Sequence, residues 1–371
     1  MESSHFSNWW QIYLTIAIVA SGVTAITTPI ARVVARRFDF LDTPLGEFHK
    51  KHETAMPVLG GAAMLTGWLI TVFGGLAAAL LVRDRLDPAV AAQLQGVRQV
   101  LPLLLVIATG AGILAVVGLI DDKRHLGPFV KLAFQIIICG CVSIYPKVRV
   151  TLVVLDQPVL SWFITVCWLL FILNAFNFFD NMDGLASGMA VIACTLFFVV
   201  AAIRHQYFVA TLGAATAGTA LGFYFYNRYP ATIFMGDSGS HFLGFLLAIL
   251  GSLTVFYNPE SSSNMASLLI PLFILALPVF DTFALMVIRT RAGKPFYYGD
   301  HNHISHRFVR MGMDRPTAVL VVQFLALAIG LGALFLLWLG TVGTILVLIQ
   351  SFVMLTLVTI LHRSCKNGNE G

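Results

Sequence analysis

Eleven stretches of about twenty apolar residues, each the length that crosses a bilayer as an α-helix, account for most of this 371-residue chain. They run over 10–31, 58–82, 100–120, 129–146, 159–177, 184–203, 207–227, 239–257, 266–288, 317–338 and 341–361. Hydrocarbon offers no partner to a backbone N–H or C=O, so only helices and closed barrels pass through it, and runs of this length select helices. The expected fold is therefore an all-α polytopic integral membrane protein with about 11 transmembrane helices. With 58% hydrophobic and 11% charged residues, a soluble globular domain is excluded. A membrane enzyme, a transporter and a channel stay open.

Orientation follows from the loops. Seventeen of the 23 Lys and Arg residues fall on one side of this pattern, which the positive-inside rule makes cytoplasmic. That places the N-terminus outside and the C-terminus in the cytoplasm. Thirteen of the 18 acidic residues share that side, an asymmetry the rule does not demand and one that locates the chemistry there. The net charge of +5 suits loops lying against anionic membrane lipids, and no basic soluble module is present to bind nucleic acid. Residues 1–9 carry no Lys or Arg and the first run is long enough to stay in the bilayer, so it reads as an ordinary first helix rather than a cleaved signal. The five cysteines show neither a CxxC pair nor zinc spacing and read as structural filler.

No loop is long enough to fold by itself, so residues 1–371 are expected to form a single transmembrane domain. Its site must come from cytoplasmic loops and helix ends at about 32–57, 121–128, 178–184, 228–240 and 289–316. No internal repeat is evident, which weighs against an inverted-repeat transporter. Gly218 and Gly222, one helical turn apart, mark close helix packing.

Five aspartates, Asp121, Asp122, Asp180, Asp183 and Asp237, lie in three of those loops. Carboxylates gathered beside a bilayer are costly and repel one another, so several converging from distant segments imply a compensating cation. Mg²⁺ carrying a diphosphate is the expected form, with Mn²⁺ as the alternative ion. Asp121 and Asp122 end the third run; neighbours on a helix point about 100° apart, so one is expected to face the centre while the other orients a Lys or Arg. Asn174, Asn177 and Asn181 share a face if the fifth run continues as helix, with Asp180 and Asp183 as a second pair. Amides and carboxylates there suit a nucleobase, a ribose or metal-bound water.

Between the seventh and eighth runs, Gly236-Asp237-Ser238-Gly239-Ser240 lets backbone N–H groups approach phosphate oxygens while Asp237 ligates a metal; a plain helix-capping turn is the alternative. Phe234, three residues earlier, could stack on a base. In the last inner loop His303, His306 and Arg307 fall at i, i+3 and i+4 and offer donors to phosphate, in preference to a zinc site lacking a third ligand. Asp281 lies about 12 Å inside the ninth run by helical rise. It is balanced either by Arg289, eight residues on, or by a hydrogen bond between helices. The segment His49-Lys50-Lys51-His52 adds cations ahead of Pro57 and Gly60-Gly61, and anchoring to the membrane surface explains the lysines equally well.

Taken in order, Pro57-x-x-Gly60-Gly61, Asp121-Asp122, Asn174-x-x-Asn177-x-x-Asp180-x-x-Asp183-Gly184, Phe234-Met-Gly-Asp237-x-Gly-Ser240 and His301-x-His303-x-x-His306-Arg307 resemble the polyprenyl-phosphate N-acetylhexosamine-1-phosphate transferase family, over about Asp42 to Arg315. The spaced His303-x-x-His306-Arg307 form is similar to the N-acetylglucosamine-1-phosphate branch rather than to the muramoyl-pentapeptide branch, whose members show consecutive histidines. Ser305 departs from the pattern, since relatives often carry two adjacent histidines at 305–306.

The resemblance implies transfer of N-acetylglucosamine-1-phosphate from UDP-N-acetylglucosamine to undecaprenyl phosphate, with release of UMP, at the cytoplasmic face of a bacterial inner membrane. It implies Asp121, Asp122 and Asp237 as catalytic residues, with Asp237 on Mg²⁺ and Asp180 a second candidate ligand. Lys50, His52, Asn177, Asp180, Asn181, Asp183, Phe234, Arg291, His301, His303, His306 and Arg307 would hold the nucleotide sugar. A homodimer is expected, and the product would prime a teichoic acid, O antigen or capsule. Direct attack by the lipid phosphate and a covalent aspartyl-phosphate route both stay open, as does another UDP-sugar donor such as the muramoyl-pentapeptide.

Overall fold

The computed structural model describes residues 2–42, 55–85, 88–150, 157–257, 265–295 and 302–368. Helices occupy every one of the eleven apolar runs. In chain order they are α1 (Glu2–Arg37), then α2 (Gly60–Leu69) continued through a π-helical turn into α3 (Gly75–Leu81), the short α4 (Pro88–Gln93), α5 (Val97–Arg124), α6 (Pro128–Ile144), α7 (Pro158–Phe179), α8 (Leu185–Ile203), α9 (Tyr207–Asn227) and α10 (Gly236–Leu253). They end with α11 (Ile270–Ile274), α12 (Ala276–Arg291), the short α13 (Ile304–Arg310), α14 (Arg315–Leu334) and α15 (Thr341–Gly368). A two-residue ribbon pairs β1 (Leu41–Asp42) with β2 (Met56–Pro57) antiparallel.

Seven of the described helices are long and apolar enough to cross a membrane alone, and eight if a bent pair counts as one. The chain is an integral membrane protein. Four of the expected spans differ from straight apolar rods. Helix α6 and the stretch Thr341–Leu357 of α15 are shorter apolar helices. Helix α10 opens on the polar sequence Gly236-Asp237-Ser238 and is buried from Ser238 to Gly251, so it is the centre of the bundle rather than a lipid-facing wall. The run expected at 266–288 is broken, because the segment through α11 and α12 bends by 73°. Pro278 lacks the N–H that would bond back to Ile274, and its ring crowds that carbonyl, so the helix cannot run through Leu275 undisturbed.

Packing radiates from α10, which lies against α5, α7, α2 and α8. Large fully buried side chains, among them Trp68, Phe176, Phe242 and Phe245, fill the space between these helices. On the far side α1 runs along α9. A Cβ on Gly218 would lie 2.2 Å from the Ala17 carbonyl oxygen, and one on Gly222 would lie 2.3 Å from that of Ser21. The glycine pair is thus a backbone-to-backbone contact, as the sequence predicts.

Two tight turns place the polar residues. His125 takes a left-handed conformation (φ 46°) at the end of α5, and Pro128 then starts α6. This reversal brings the first turn of α6 back beside the last turn of α5. Asn227, buried at the end of α9, accepts the Gly184 N–H and the Ser187 hydroxyl while donating to the Ile233 carbonyl. It therefore ties the loop before α8 to the loop before α10.

Candidate active site

A cavity of about 990 Å³ opens at one end of the bundle, where the expected loops meet. Asp39 to Asp42, Asp121, Asp122, Asn177, Asp180, Asn181, Asp183, Phe234, Asp237 and His306 all line it. Five aspartates separated by up to 116 positions in sequence therefore share one wall.

Asp121 and Asp122 make different contacts, as their angular separation on α5 requires. Asp121 Oδ1 accepts the Leu126 N–H at 2.7 Å and fixes the turn into α6, while Oδ2 takes Lys131 Nζ at 2.9 Å. Asp122 points the other way, onto the start of α10, where it accepts the N–H groups of Asp237 at 2.8 Å and Ser238 at 3.2 Å. These are amides that the sequence offers to a phosphate. Asp122 accepts them, the arrangement of the capping alternative. Gly236 makes this approach feasible, since a Cβ there would sit 2.5 Å from Asp122 Oδ2 and its φ is +66°.

Lys131 belongs to this cluster although no sequence motif points to it. It lies in the first turn of α6 and bridges Asp121 and Asp237, so one ammonium is shared by two carboxylates. Its signal was a lone charge at the start of an apolar run, a position where a cation must find a partner. Asp237 is held on its other oxygen by Asn177 Nδ2 at 2.8 Å, and the same amide donates to Ser240 Oγ at 2.8 Å.

Helix α7 stops at Phe179, so Asn181 leaves the helical face expected for it with Asn174 and Asn177, and Asp180 and Asp183 do not form the expected helical pair. Asp180 breaks the helix with ψ near +70°, and Gly184 turns the chain into α8. Asp183 accepts the Ala231 N–H at 3.0 Å, which ties this turn to the loop carrying Phe234. Asn181 donates to the Phe178 and Phe179 carbonyls and accepts the Ser305 hydroxyl. The departure at Ser305 thereby latches the first turn of α13 to the turn after α7. Burial, with the charges of Asp237 and Asp183 close by, pushes the Asp180 carboxyl up to about 7.

The histidine loop does not present one face. His303 precedes α13 as its N-cap residue and turns inward, where Nδ1 meets Asp281 Oδ2 at 2.8 Å. Asp281 Oδ1 also accepts the Ile304 N–H at 2.7 Å. Asp281 is thus balanced by a hydrogen bond between helices, and the Arg289 guanidinium lies 5.6 Å from the centre of the Phe178 ring. Arg307 is buried and its Nε donates to the Asn302 carbonyl at 2.8 Å. Only His306 of the three lines the cavity, joined by Arg310 and Arg315, two cations the sequence did not single out. Arg291 is exposed in the last turn of α12 and does not line the cavity. Lys50, His52 and His301 lie outside the described residues.

Among the described residues, no three His, Cys, Asp or Glu side chains already converge as a metal-ligand set. The donor chemistry nevertheless suits a hard cation that takes one or two carboxylates and completes its shell with water and phosphate oxygens. Asp180 and Asp237, close enough for one to raise the other, are such a pair.

A family model described as glycosyl transferase family 4 matches residues 104–255, the span from α5 to the end of α10. A probable undecaprenyl-phosphate N-acetylglucosaminyl 1-phosphate transferase of Bacillus subtilis is 31% identical over 336 residues, covering 88% of this chain and 86% of the relative. A decaprenyl-phosphate N-acetylglucosaminephosphotransferase of Mycolicibacterium smegmatis is 30% identical over 382 residues, covering 96% and 90%. A phospho-N-acetylmuramoyl-pentapeptide-transferase of Geobacillus kaustophilus is 31% identical over 251 residues, covering 62% and 72%.

Proposed function

The chain belongs to glycosyl transferase family 4, the polyprenyl-phosphate N-acetylhexosamine-1-phosphate transferases, and from that premise we propose that it transfers N-acetylglucosamine-1-phosphate from UDP-N-acetylglucosamine to undecaprenyl phosphate, releasing UMP. The observation that carries this reading is Lys131, an ammonium shared by Asp121 and Asp237, two carboxylates that line the cavity. An ammonium held by two carboxylates can exchange one of them for a phosphate oxygen without losing its charge balance.

Lys131, held between two cavity-lining carboxylates, orients the phosphate of the lipid, and Arg310 and Arg315, which line the cavity, receive the diphosphate of the donor. Phe234 stacks on uracil, while Asn181, Asp183 and His306 contact the remaining nucleoside and sugar hydroxyls. Asp237, with Asp180 as its partner, would hold Mg²⁺ or Mn²⁺. When bound, such an ion neutralises the charge that grows on the departing UMP.

Direct attack by the lipid phosphate is the favoured route. Asp122 is occupied by two backbone N–H groups, and Asp121 by Lys131 and the Leu126 N–H. A carboxylate that accepts two such bonds is a weak nucleophile, whereas a phosphate monoester with a second pKa near 6 is already largely ionised at neutral pH. Positioning therefore supplies more of the rate than proton removal does.

Eleven crossings, with the N-terminus outside, would set the cavity at the cytoplasmic face of a bacterial inner membrane. There a lipid phosphate at headgroup depth meets a cytosolic nucleotide sugar. The product would prime a cell-surface glycan such as a teichoic acid, O antigen or capsule, and the protein would work as a homodimer. UDP-N-acetylmuramoyl-pentapeptide is the second donor reading, favoured by the likeness to the Geobacillus kaustophilus transferase.

A donor panel separates the two. Purified protein with undecaprenyl phosphate and Mg²⁺ is offered UDP-N-acetylglucosamine, UDP-N-acetylgalactosamine and UDP-N-acetylmuramoyl-pentapeptide in turn. Lipid-linked product with the first supports the reading, and product with the last alone overturns the donor assignment.

A further inference from the structure

Beneath the cavity wall a second polar layer lies one helical turn deeper on the same three helices. Helix α6 carries Lys131 and then Gln135, four residues on. Helix α7 carries Asn177 and, three residues before it, Asn174. Helix α10 carries Asp237 and then His241, again four residues on. Residues three or four apart share a helix face, so each helix contributes one residue to each layer.

The deeper residues bond to one another. Asn174 Nδ2 donates to Gln135 Oε1 at 2.8 Å, and Gln135 Nε2 meets His241 Nε2 at 3.1 Å. Asn174 also donates to the Leu170 carbonyl at 2.8 Å. Because Gln135 receives Asn174 on its oxygen, its amide nitrogen faces the ring and donates to it. The His241 ring therefore accepts at Nε2 and carries its proton on Nδ1, a buried atom that no hydrogen-bond acceptor among the described residues reaches. Gln135 and His241 are both fully buried.

We propose that Gln135, Asn174 and His241 form a positioning layer that fixes the mutual register of α6, α7 and α10 and so holds Lys131, Asn177 and Asp237 in place for phosphosugar transfer. Burying an amide and an imidazole costs free energy that apolar side chains of the same size would not incur, and the cost is only partly offset here because His241 Nδ1 finds no partner among the described residues. The two directional bonds, Asn174 to Gln135 and Gln135 to His241, form in one register, whereas an apolar contact tolerates sliding. Lys131 needs that discrimination, because its ammonium must reach Asp121 on α5 and Asp237 on α10 together. His241 is the hub on α10, the helix that also carries Asp237. These are positioning residues, since none of the three lines the cavity.

The proposal rests on the transferase reading, and the test separates the two. His241→Leu, Gln135→Leu, the double variant and His241→Gln are made in the full chain and purified in detergent. Gln at 241 can place an amide oxygen where the ring nitrogen accepts. We expect His241→Leu to lower kcat on the order of a hundredfold, the cost of a misplaced catalytic group, with KM for donor and lipid within about threefold of the parent. His241→Gln should recover most of that loss, and the double variant should be no slower than the worse single one. A parental kcat in His241→Leu, an equal loss in His241→Gln, or additive losses in the double variant would each overturn the layer. Thermal unfolding of the same four proteins needs no substrate: coupling between 135 and 241 supports the layer, and independent shifts contradict it. A parent that releases no lipid-dependent UMP is a failure of the transferase reading, and the unfolding cycle still judges the layer.

Discussion

Asp122 on α5 caps the helix that carries Asp237, accepting the Asp237 N–H at 2.8 Å and the Ser238 N–H at 3.2 Å. One member of the aspartate pair thus builds the floor on which another site carboxylate stands. Its neighbour Asp121 holds Lys131 instead.

Asp122→Asn tests that assignment. An amide has one acceptor oxygen and one donor nitrogen, so one of the two N–H groups would face a donor. Leaving a buried group unpaired costs about 1–3 kcal/mol. Thermal unfolding in detergent should show that loss, with turnover lowered roughly 10–100-fold as Asp237 shifts. Parental stability and turnover together would show that the cap is dispensable.

Asp180 predicts a pH dependence. Its carboxyl is pushed up from 3.8 to about 7 by burial and by Asp237 and Asp183, so folding disfavours its ionised form. The stability it contributes is fully present below pH 3.8 and is lost as pH rises through about 7. Asp180→Asn cannot ionise and should unfold at a higher temperature than the parent at pH 8 without added metal. The difference should shrink as the pH falls toward about 4, where both side chains are neutral. A difference that is absent at pH 8, or that grows in acid, would refute the sign.

Asp281 and His303 should behave as one unit. Asp281 holds both the His303 ring and the first N–H of α13, and α13 places His306 in the cavity wall. Asp281→Ala and His303→Ala are each expected to raise KM for the UDP-sugar several-fold, roughly 1 kcal/mol of lost positioning. The double variant should be no worse than the worse single one. Additive effects would show two separate roles.

Gly218 tests the packing of α1 on α9. Its added Cβ would meet the Ala17 carbonyl oxygen at 2.2 Å, whereas one on Gly112 would meet nothing within 4 Å. Gly218→Ala should destabilise by about 1–3 kcal/mol through overpacking. Gly112→Ala should be neutral or stabilising by up to about 1 kcal/mol, since alanine is the better helix former. Equal melting temperatures for the two variants would remove the close contact.

Much of this was legible because hydropathy is a strong signal. Runs of apolar residues located the helices, and the carboxylates stood out against them, so the meeting of Asp121, Asp180 and Asp237 followed from loops expected on one face. Lys131 was not legible in the same way. It sits just inside an apolar run, in no motif of its own, and its partners are fixed by the turn at His125. Gln135 and His241 lie within apolar helices and become a layer only when three helices are in register. Pro278 was visible, yet hydropathy averages over a proline and gives no bend at Leu275. The spacing of His303, His306 and Arg307 describes a helix face, but α13 starts only at Ile304, which frees His303 to turn toward Asp281.

The central claim is that the bond broken lies between the two phosphates of the donor. It is tested by UDP-N-acetylglucosamine carrying a radioactive β-phosphate, incubated with purified protein, undecaprenyl phosphate and Mg²⁺, followed by extraction of the lipid. The account predicts label in the lipid fraction and unlabelled UMP in the aqueous phase. Labelled UDP in the aqueous phase with an unlabelled glycolipid would mean ordinary glycosyl transfer and would contradict it.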